Sequence, residues 1–175
     1  MDFGTMLPLL VEAFQREGIR FVVIGGLAVA AYGHDRTTLD ADFLVDLASQ
    51  DRAVALLERL GYETLHRSTA FSNHLHADLT KGRVDLMYAR EETAAEIFAH
   101  CQTRPLPRNL EAPIASPEHL AAMKAFALAT NPGRFRDLED VLYLLRMKDV
   151  DREEIRRQFE RRGLGDRYRE LENLL

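Results

Sequence analysis

The sequence predicts a mixed α/β (α+β) fold. A small mixed β-sheet core flanked by helices is expected over residues 1–115, with a C-terminal helical segment packed on it over residues 116–175. Three observations carry this expectation. Phe21-Val22-Val23-Ile24 is a continuous β-rich run, typical of a buried strand, set between two stretches of helical spacing. Residues 40–45, 74–79 and 84–88 read as further strands. From Ser116 onward only helical spacing recurs.

The elements follow in order. Met6, Leu9, Leu10, Ala13 and Phe14 share one face, which predicts a helix over 5–17 ending at Gly18. Gly25-Gly26 ends the strand at 21–24, and residues 27–32 form a short helix closed by Gly33. After the strand at 40–45, Ala53, Leu56, Leu57 and Leu60 mark a helix over 49–60 that stops at Gly61. Residues 74–79 and 84–88 predict a hairpin around Lys81-Gly82. Residues 92–101 are helical, and Cys101 follows Ala94, Ile97 and Phe98 at helical spacing, as a core residue would. Three prolines make 103–115 a loop with at most a short edge strand. Ser116-Pro117-Glu118 combines an N-cap, a proline at the first helical position and an early acid. Asn131-Pro132-Gly133 breaks that helix, and further helices fit 136–147, 151–162 and 166–174.

Composition narrows the function. At 46% apolar and 29% charged residues the chain is globular, and 175 residues suffice for a core without staples. A single cysteine excludes a disulfide scaffold, a zinc ribbon and an iron–sulfur site. The net charge of -5 argues against a generic, charge-driven nucleic-acid binder. The surplus is local: residues 1–100 hold 9 Lys/Arg against 15 Asp/Glu, and residues 101–175 hold 14 against 13. Met1-Asp2-Phe3-Gly4 offers no basic leader, and the longest apolar stretch, 21–32, is too short to span a bilayer. A soluble cytoplasmic protein with no membrane partner is therefore expected.

The informative stretch runs from Val23 to Asp42. Two glycines between a buried strand and a helix allow close approach of a ligand, and a helix N-terminus suits a phosphate. Thirteen residues separate Gly26 from Asp40-Ala41-Asp42. Residues i and i+2 of a strand share a face, so Asp40 and Asp42 project together. Their repulsion is relieved by a hard cation such as Mg²⁺. If Lys81-Gly82 is a two-residue turn, Leu79 opposes Val84, Ala77 opposes Leu86, His76 opposes Met87 and Asp78 opposes Asp85. Opposed like charges destabilise a sheet, so a metal, a nearby cation or a shifted pKa is expected at Asp78 and Asp85.

A Gly-Gly turn, an Asp-x-Asp strand and a third Asp on a neighbouring strand resemble the signature of the polymerase-β-like nucleotidyltransferase superfamily. The fuller pattern Gly25-Gly26-x-Ala28-Val29-…-Gly33-x-x-Arg36-x-Thr38-x-Asp40-x-Asp42 resembles the AbiEii-type toxin and related small bacterial nucleotidyltransferases. Lys124 and Arg134-x-Arg136-Asp137-x-x-Asp140 are similar to the Lys and Arg-Asp-x-x-Asp segments of that family. The resemblance covers residues 20–45 and 116–145 well, and the middle loosely.

It implies a nucleotidyltransferase core and transfer of a nucleoside monophosphate from NTP to an acceptor hydroxyl on RNA or tRNA, a protein or a small molecule. Asp40, Asp42 and Asp85 would be catalytic and would hold two Mg²⁺ ions, with Asp85 as base for the incoming hydroxyl. Gly25, Gly26, Arg36, Lys124, Arg136 and Asp137 would bind the triphosphate. A toxin of this type would have a partner antitoxin. Leu27 stands where the superfamily usually has Ser or Thr. That departure keeps a second reading open, a catalytically idle module that binds nucleotide or a protein.

Structural readings stand beside the functional ones. The glycines also suit a tight turn. Lys124 lies beside an apolar stripe and is either a snorkelling lysine or a phosphate ligand. Asp137 and Asp140 either meet substrate or start a helix. Arg36 either touches phosphate or pairs with Asp40 or Asp137. His74-x-His76-x-Asp78 is similar in part to a binuclear zinc motif, but position 79 is Leu, and Asp78 is better placed as a neighbour of Asp85. Arg152, Arg156, Arg157, Arg161 and Arg162 make an arginine-rich helix, solvated by default, with Glu153 spaced to pair with Arg157.

Overall fold

A computed structural model describes residues 1–175. The chain forms two compact units, Met1–Ala115 and Ser116–Leu175.

The first unit is built on a seven-stranded mixed sheet. Its strands are β1 (Phe21–Ile24), β2 (Asp40–Asp46), β3 (Tyr62–Arg67), β4 (Phe71–His76), β5 (Arg83–Ala89), β6 (Gln102–Leu106) and β7 (Leu110–Ile114). They lie in the order β3-β4-β5-β2-β1-β7-β6. β1 and β2 are antiparallel, while β2–β5 and β1–β7 are parallel. Every residue of β1 is buried, as its continuous apolar sequence demands. Helices α1 (Phe3–Arg16), α2 (Gly25–Ala31), α3 (Gln50–Arg59) and α4 (Glu91–His100) flank the sheet. α1 buries Met6, Leu7, Leu10, Val11, Ala13 and Phe14. Its Phe14 ring meets Phe21 at 5.2 Å and Phe43 at 5.4 Å, which knits helix to sheet.

Alternation along β2 and β5 gives the sheet two distinct faces. Ala41, Phe43, Val84 and Leu86 are fully buried on one. Asp40, Asp42 and Asp85 project from the other.

The hairpin differs from the expected one. β4 and β5 pair Leu75 with Arg83, Asn73 with Asp85 and Ser72 with Leu86. The turn takes residues 77–82 rather than Lys81-Gly82 alone, and the odd-numbered shift exchanges the faces of β4. The cause is Asp78. Its carboxylate accepts from the Thr80 amide at 2.9 Å and the Thr80 hydroxyl at 2.7 Å, and its carbonyl accepts from the Lys81 and Gly82 amides. Asp78 is thus a turn-former and no partner of Asp85. Leu79, expected on the apolar face, is 80% exposed.

Ser72 and His74 take the buried places opposite Leu86 and Val84. His74 Nδ1 bonds the Thr64 hydroxyl at 3.1 Å and Nε2 the Ser72 hydroxyl at 2.7 Å; Ser72 also bonds Tyr88. With both ring nitrogens engaged by hydroxyls, His74 is a core histidine and the zinc pattern has no first ligand. Burial, outweighing the nearby Asp85 and Glu58, holds its pKa below 6.5.

Three strands were not expected as such. β3 is an edge strand of mostly exposed residues. β6 and β7 form an antiparallel pair, and β7 lies inside the sheet against β1. β7 tolerates Pro113 because its pairing with β1 runs through the single register Val23–Ile114 and the Ala115 amide to the Val23 carbonyl, 3.1 Å. Cys101 ends α4 as a half-buried cap whose thiol donates to the Phe98 carbonyl, so the core residues of that helix are Ala94 and Ile97.

The second unit is helical: α5 (Pro117–Thr130), α6 (Phe135–Leu145), α7 (Arg152–Glu160) and α8 (Gly165–Glu172). Ser116 caps α5 by accepting from the His119 amide, and Asp151 caps α7 by accepting from the Glu154 amide. Phe159 of α7 meets Tyr168 of α8 edge-on at 5.7 Å. Two of the three α7 arginines are matched within their own helix, and the third, Arg152, donates to the Leu145 carbonyl at 2.8 Å. Arg156 pairs with Glu153 and Glu160, and Arg157 with Glu154 rather than Glu153.

Candidate active site

Strand alternation, not loop chemistry, assembles the acidic cluster. Asp40 and Asp42 are two residues apart on β2, and the parallel register of β2 with β5 sets Asp85 directly beside Asp42. One carboxylate oxygen from each lies within 4.8 Å of the others, and all three residues are half-buried. The opposed like charges expected in the hairpin are therefore Asp42 and Asp85, across the β2–β5 seam.

The neighbours fix each carboxylate. The Thr38 hydroxyl donates to Asp40 Oδ1 at 2.8 Å. Gly25 has φ +66°, and a Cβ there would overlap the Asp42 carboxylate. A Cβ on Gly26 would stand 2.8–2.9 Å from the Arg36 guanidinium. The two glycines thus make room for Asp42 and for Arg36, rather than leaving open space. Arg36 lies against the first turn of α2, at the junction of β1 and α2. Leu27 is buried at 4% exposure, so its side chain serves packing.

Arg83 is the residue the sequence reading missed. Its Nε donates to Asp85 Oδ1 at 2.8 Å and Oδ2 at 3.1 Å. The available signal was its spacing: Arg83-x-Asp85 repeats on β5 the i, i+2 relation of Asp40 and Asp42, and Arg83 is the register partner of Asp40.

The donor set fits a divalent metal. Carboxylate oxygens are hard ligands, and two of them on one Mg²⁺ at about 2.1 Å stand roughly 2.9–4.2 Å apart in an octahedron. The cluster, spanning 4.8 Å at most, lies close to that range.

Next to Asp85, the same face of the sheet is open. Asn73 of β4 opposes Asp85, and His66 of β3 opposes Asn73. The His66 and Phe71 rings stack at 4.8 Å, and Phe71, Leu75 and Met87 stay exposed.

In the second unit, Lys124, Asp137 and Asp140 converge. Lys124 Nζ lies 3.0 Å from Asp137 Oδ1 and 2.5 Å from Asp140 Oδ2, with all three side chains buried. Lys124 therefore does not snorkel, and the two acids do more than start α6. Arg134 also pairs with Asp137, whereas Arg136 is exposed. Burial pushes the Asp137 carboxyl upward, but Lys124 and Arg134 outweigh it and hold it below 3.8.

The fold has known counterparts. The antibiotic-resistance factor ANT(2'')-Ia superposes with a TM-score of 0.73 at 16% identity, over 99% of this chain and 97% of its own. A nucleotidyltransferase-like protein from Paracoccidioides brasiliensis gives 0.62 at 14% identity, over 98% and 91%. The lincosamide antibiotic adenylyltransferase LnuA gives 0.59 at 15% identity, over 81% and 95%. No curated protein sequence matches the chain. The model of the nucleotidyl transferase AbiEii toxin family, of type IV toxin–antitoxin systems, matches residues 9–174. The fold is that of these nucleotidyltransferases, and the family model, matched along nearly the whole chain, makes the protein a member of the AbiEii nucleotidyltransferase family.

Proposed function

We propose that the protein transfers a nucleoside monophosphate from an NTP to an acceptor hydroxyl in a Mg²⁺-dependent reaction centred on Asp40, Asp42 and Asp85. The observation that carries this is the convergence of the three carboxylates within 4.8 Å across β2 and β5. All three hold the metal. Bound there, Mg²⁺ supplies neutralisation of the triphosphate and of the leaving pyrophosphate, and lowers the pKa of the acceptor hydroxyl. Gly25, Gly26 and Arg36 bind the triphosphate through the α2 amides and the guanidinium. Asp85 lies on the open side of the cluster and takes the acceptor's proton at a carboxylate oxygen. The acceptor oxygen bonds to the α-phosphorus, the bond from that phosphorus to the bridging oxygen breaks, and pyrophosphate leaves.

The open face beyond Asp85 supports an RNA acceptor. Its His66–Phe71 stack suits a nucleobase. Membership of a toxin family supports growth inhibition relieved by an antitoxin.

Incubation with α-labelled NTPs, Mg²⁺ and, separately, total RNA, a protein extract and an aminoglycoside tests the reading. Label is expected in RNA, and Asp42→Asn is expected to abolish it. Absence of transfer to any acceptor contradicts the reading, and transfer to the aminoglycoside alone contradicts the acceptor assignment. Mg²⁺-dependent NTP binding without product marks the idle module.

A further inference from the structure

We propose that Arg83 is the resting counter-cation of the acidic cluster, holding Asp85 in the metal-free protein and competing with the divalent metal for that carboxylate. The proposal rests on the metal site described above.

The geometry argues for competition. A single guanidinium nitrogen of Arg83 contacts both oxygens of Asp85, at 2.8 and 3.1 Å. Those oxygens are the ones a metal shared with Asp40 and Asp42 requires. A cation and a carboxylate lone pair engaged in this way exclude a metal from the same lone pair. Arg83 starts inside the cluster, because its register partner across the seam is Asp40. Its charge feels Asp85, Asp40 and Asp42 together.

The two partners are unequally free to leave. The Arg83 side chain is 45% exposed and that of Asp85 is 20% exposed. Displacement therefore moves the arginine outward into solvent and leaves Asp85 where β5 places it. Without Arg83, Asp85 loses the guanidinium bound to it while still facing the other two carboxylates within 4.8 Å. The same residue thus stabilises the empty site and weakens the metal's hold, so the site closes on metal only when metal is plentiful or arrives with a nucleotide.

Titration of the full chain with Mn²⁺, followed by the electron paramagnetic resonance signal of the free ion, tests this. Arg83→Gln is expected to bind Mn²⁺ about three- to tenfold more tightly than wild type, from loss of one nearby positive charge. Arg83→Lys keeps that charge and is expected to stay near wild type. Without metal, Arg83→Gln is expected to melt earlier, and Mn²⁺ is expected to raise its Tm more than that of wild type. Unchanged or weaker Mn²⁺ binding by Arg83→Gln overturns the proposal. Wild-type binding that Asp42→Asn leaves intact instead overturns the metal reading itself, and the role of Arg83 falls with it.

Discussion

At the scale of the residue, Gly25 makes room for the acidic cluster and Gly26 for Arg36. Gly25 adopts φ +66° and leaves the Asp42 carboxylate the volume a methyl group would fill. Gly25→Ala is expected to cost about 1–2 kcal/mol from the left-handed backbone alone and to displace Asp42. Thermal melting is then expected to fall by several degrees, together with Mn²⁺ affinity; an unchanged affinity contradicts the packing role. The glycine pair and both β2 acids were legible in the sequence, because a turn residue and an i, i+2 spacing are local facts. Which groups fill the glycines' empty sides was not legible. Asp42 and Arg36 reach Gly25 and Gly26 from 17 and 10 residues downstream, through tertiary structure. Arg83 shows the same limit, since its contact with Asp85 depends on where β5 sits beside β2.

At the scale of the element, buried polar groups carry the sharpest expectations. Lys124 of α5 is the shared partner of Asp137 and Asp140 of α6. Lys124→Met leaves two buried carboxylates without their ammonium and is expected to destabilise the protein by about 3–5 kcal/mol. Chemical denaturation measures it; a loss below about 1 kcal/mol contradicts a buried pair of this kind. In the sheet, His74 is held neutral, with a folded pKa below its unfolded value of 6.5. Its contribution is full above pH 6.5 and is lost as pH falls through the lower folded value. His74→Gln is expected to flatten the decline of Tm below about pH 6.5 relative to wild type; an unaltered slope contradicts burial of the neutral ring. The hairpin shows why element boundaries outran the sequence. Lys81-Gly82 is a good two-residue turn by composition, yet Asp78 closes a longer one with its own side chain. That choice reverses the faces of β4 and trades Asp78 for Asn73 opposite Asp85. β7 was hidden for a different reason: Pro113 argues against an inner strand unless the pairing is as short as it is with β1.

At the scale of the whole molecule, the net charge of -5 has a place. Part of the acidic surplus in residues 1–100 is the cluster of Asp40, Asp42 and Asp85, concentrated on one face of one sheet. Two of the α7 arginines, Arg156 and Arg157, are matched by glutamates of the same helix, and Arg152 is engaged by the Leu145 carbonyl. An RNA acceptor is therefore expected to be captured through metal, triphosphate and base stacking rather than through a charged surface. The family match over residues 9–174 and the nucleotidyltransferase fold set the activity class, and the three carboxylates are its proposed centre. The measurement that tests this most directly compares pyrophosphate release with label incorporated into RNA, for wild type and for Asp40→Asn, Asp42→Asn and Asp85→Asn. One pyrophosphate per transferred nucleotide is expected from wild type, with each variant at least about 100-fold slower at unchanged Tm or better. Full activity in any one of the three folded variants would contradict the assignment of the triad.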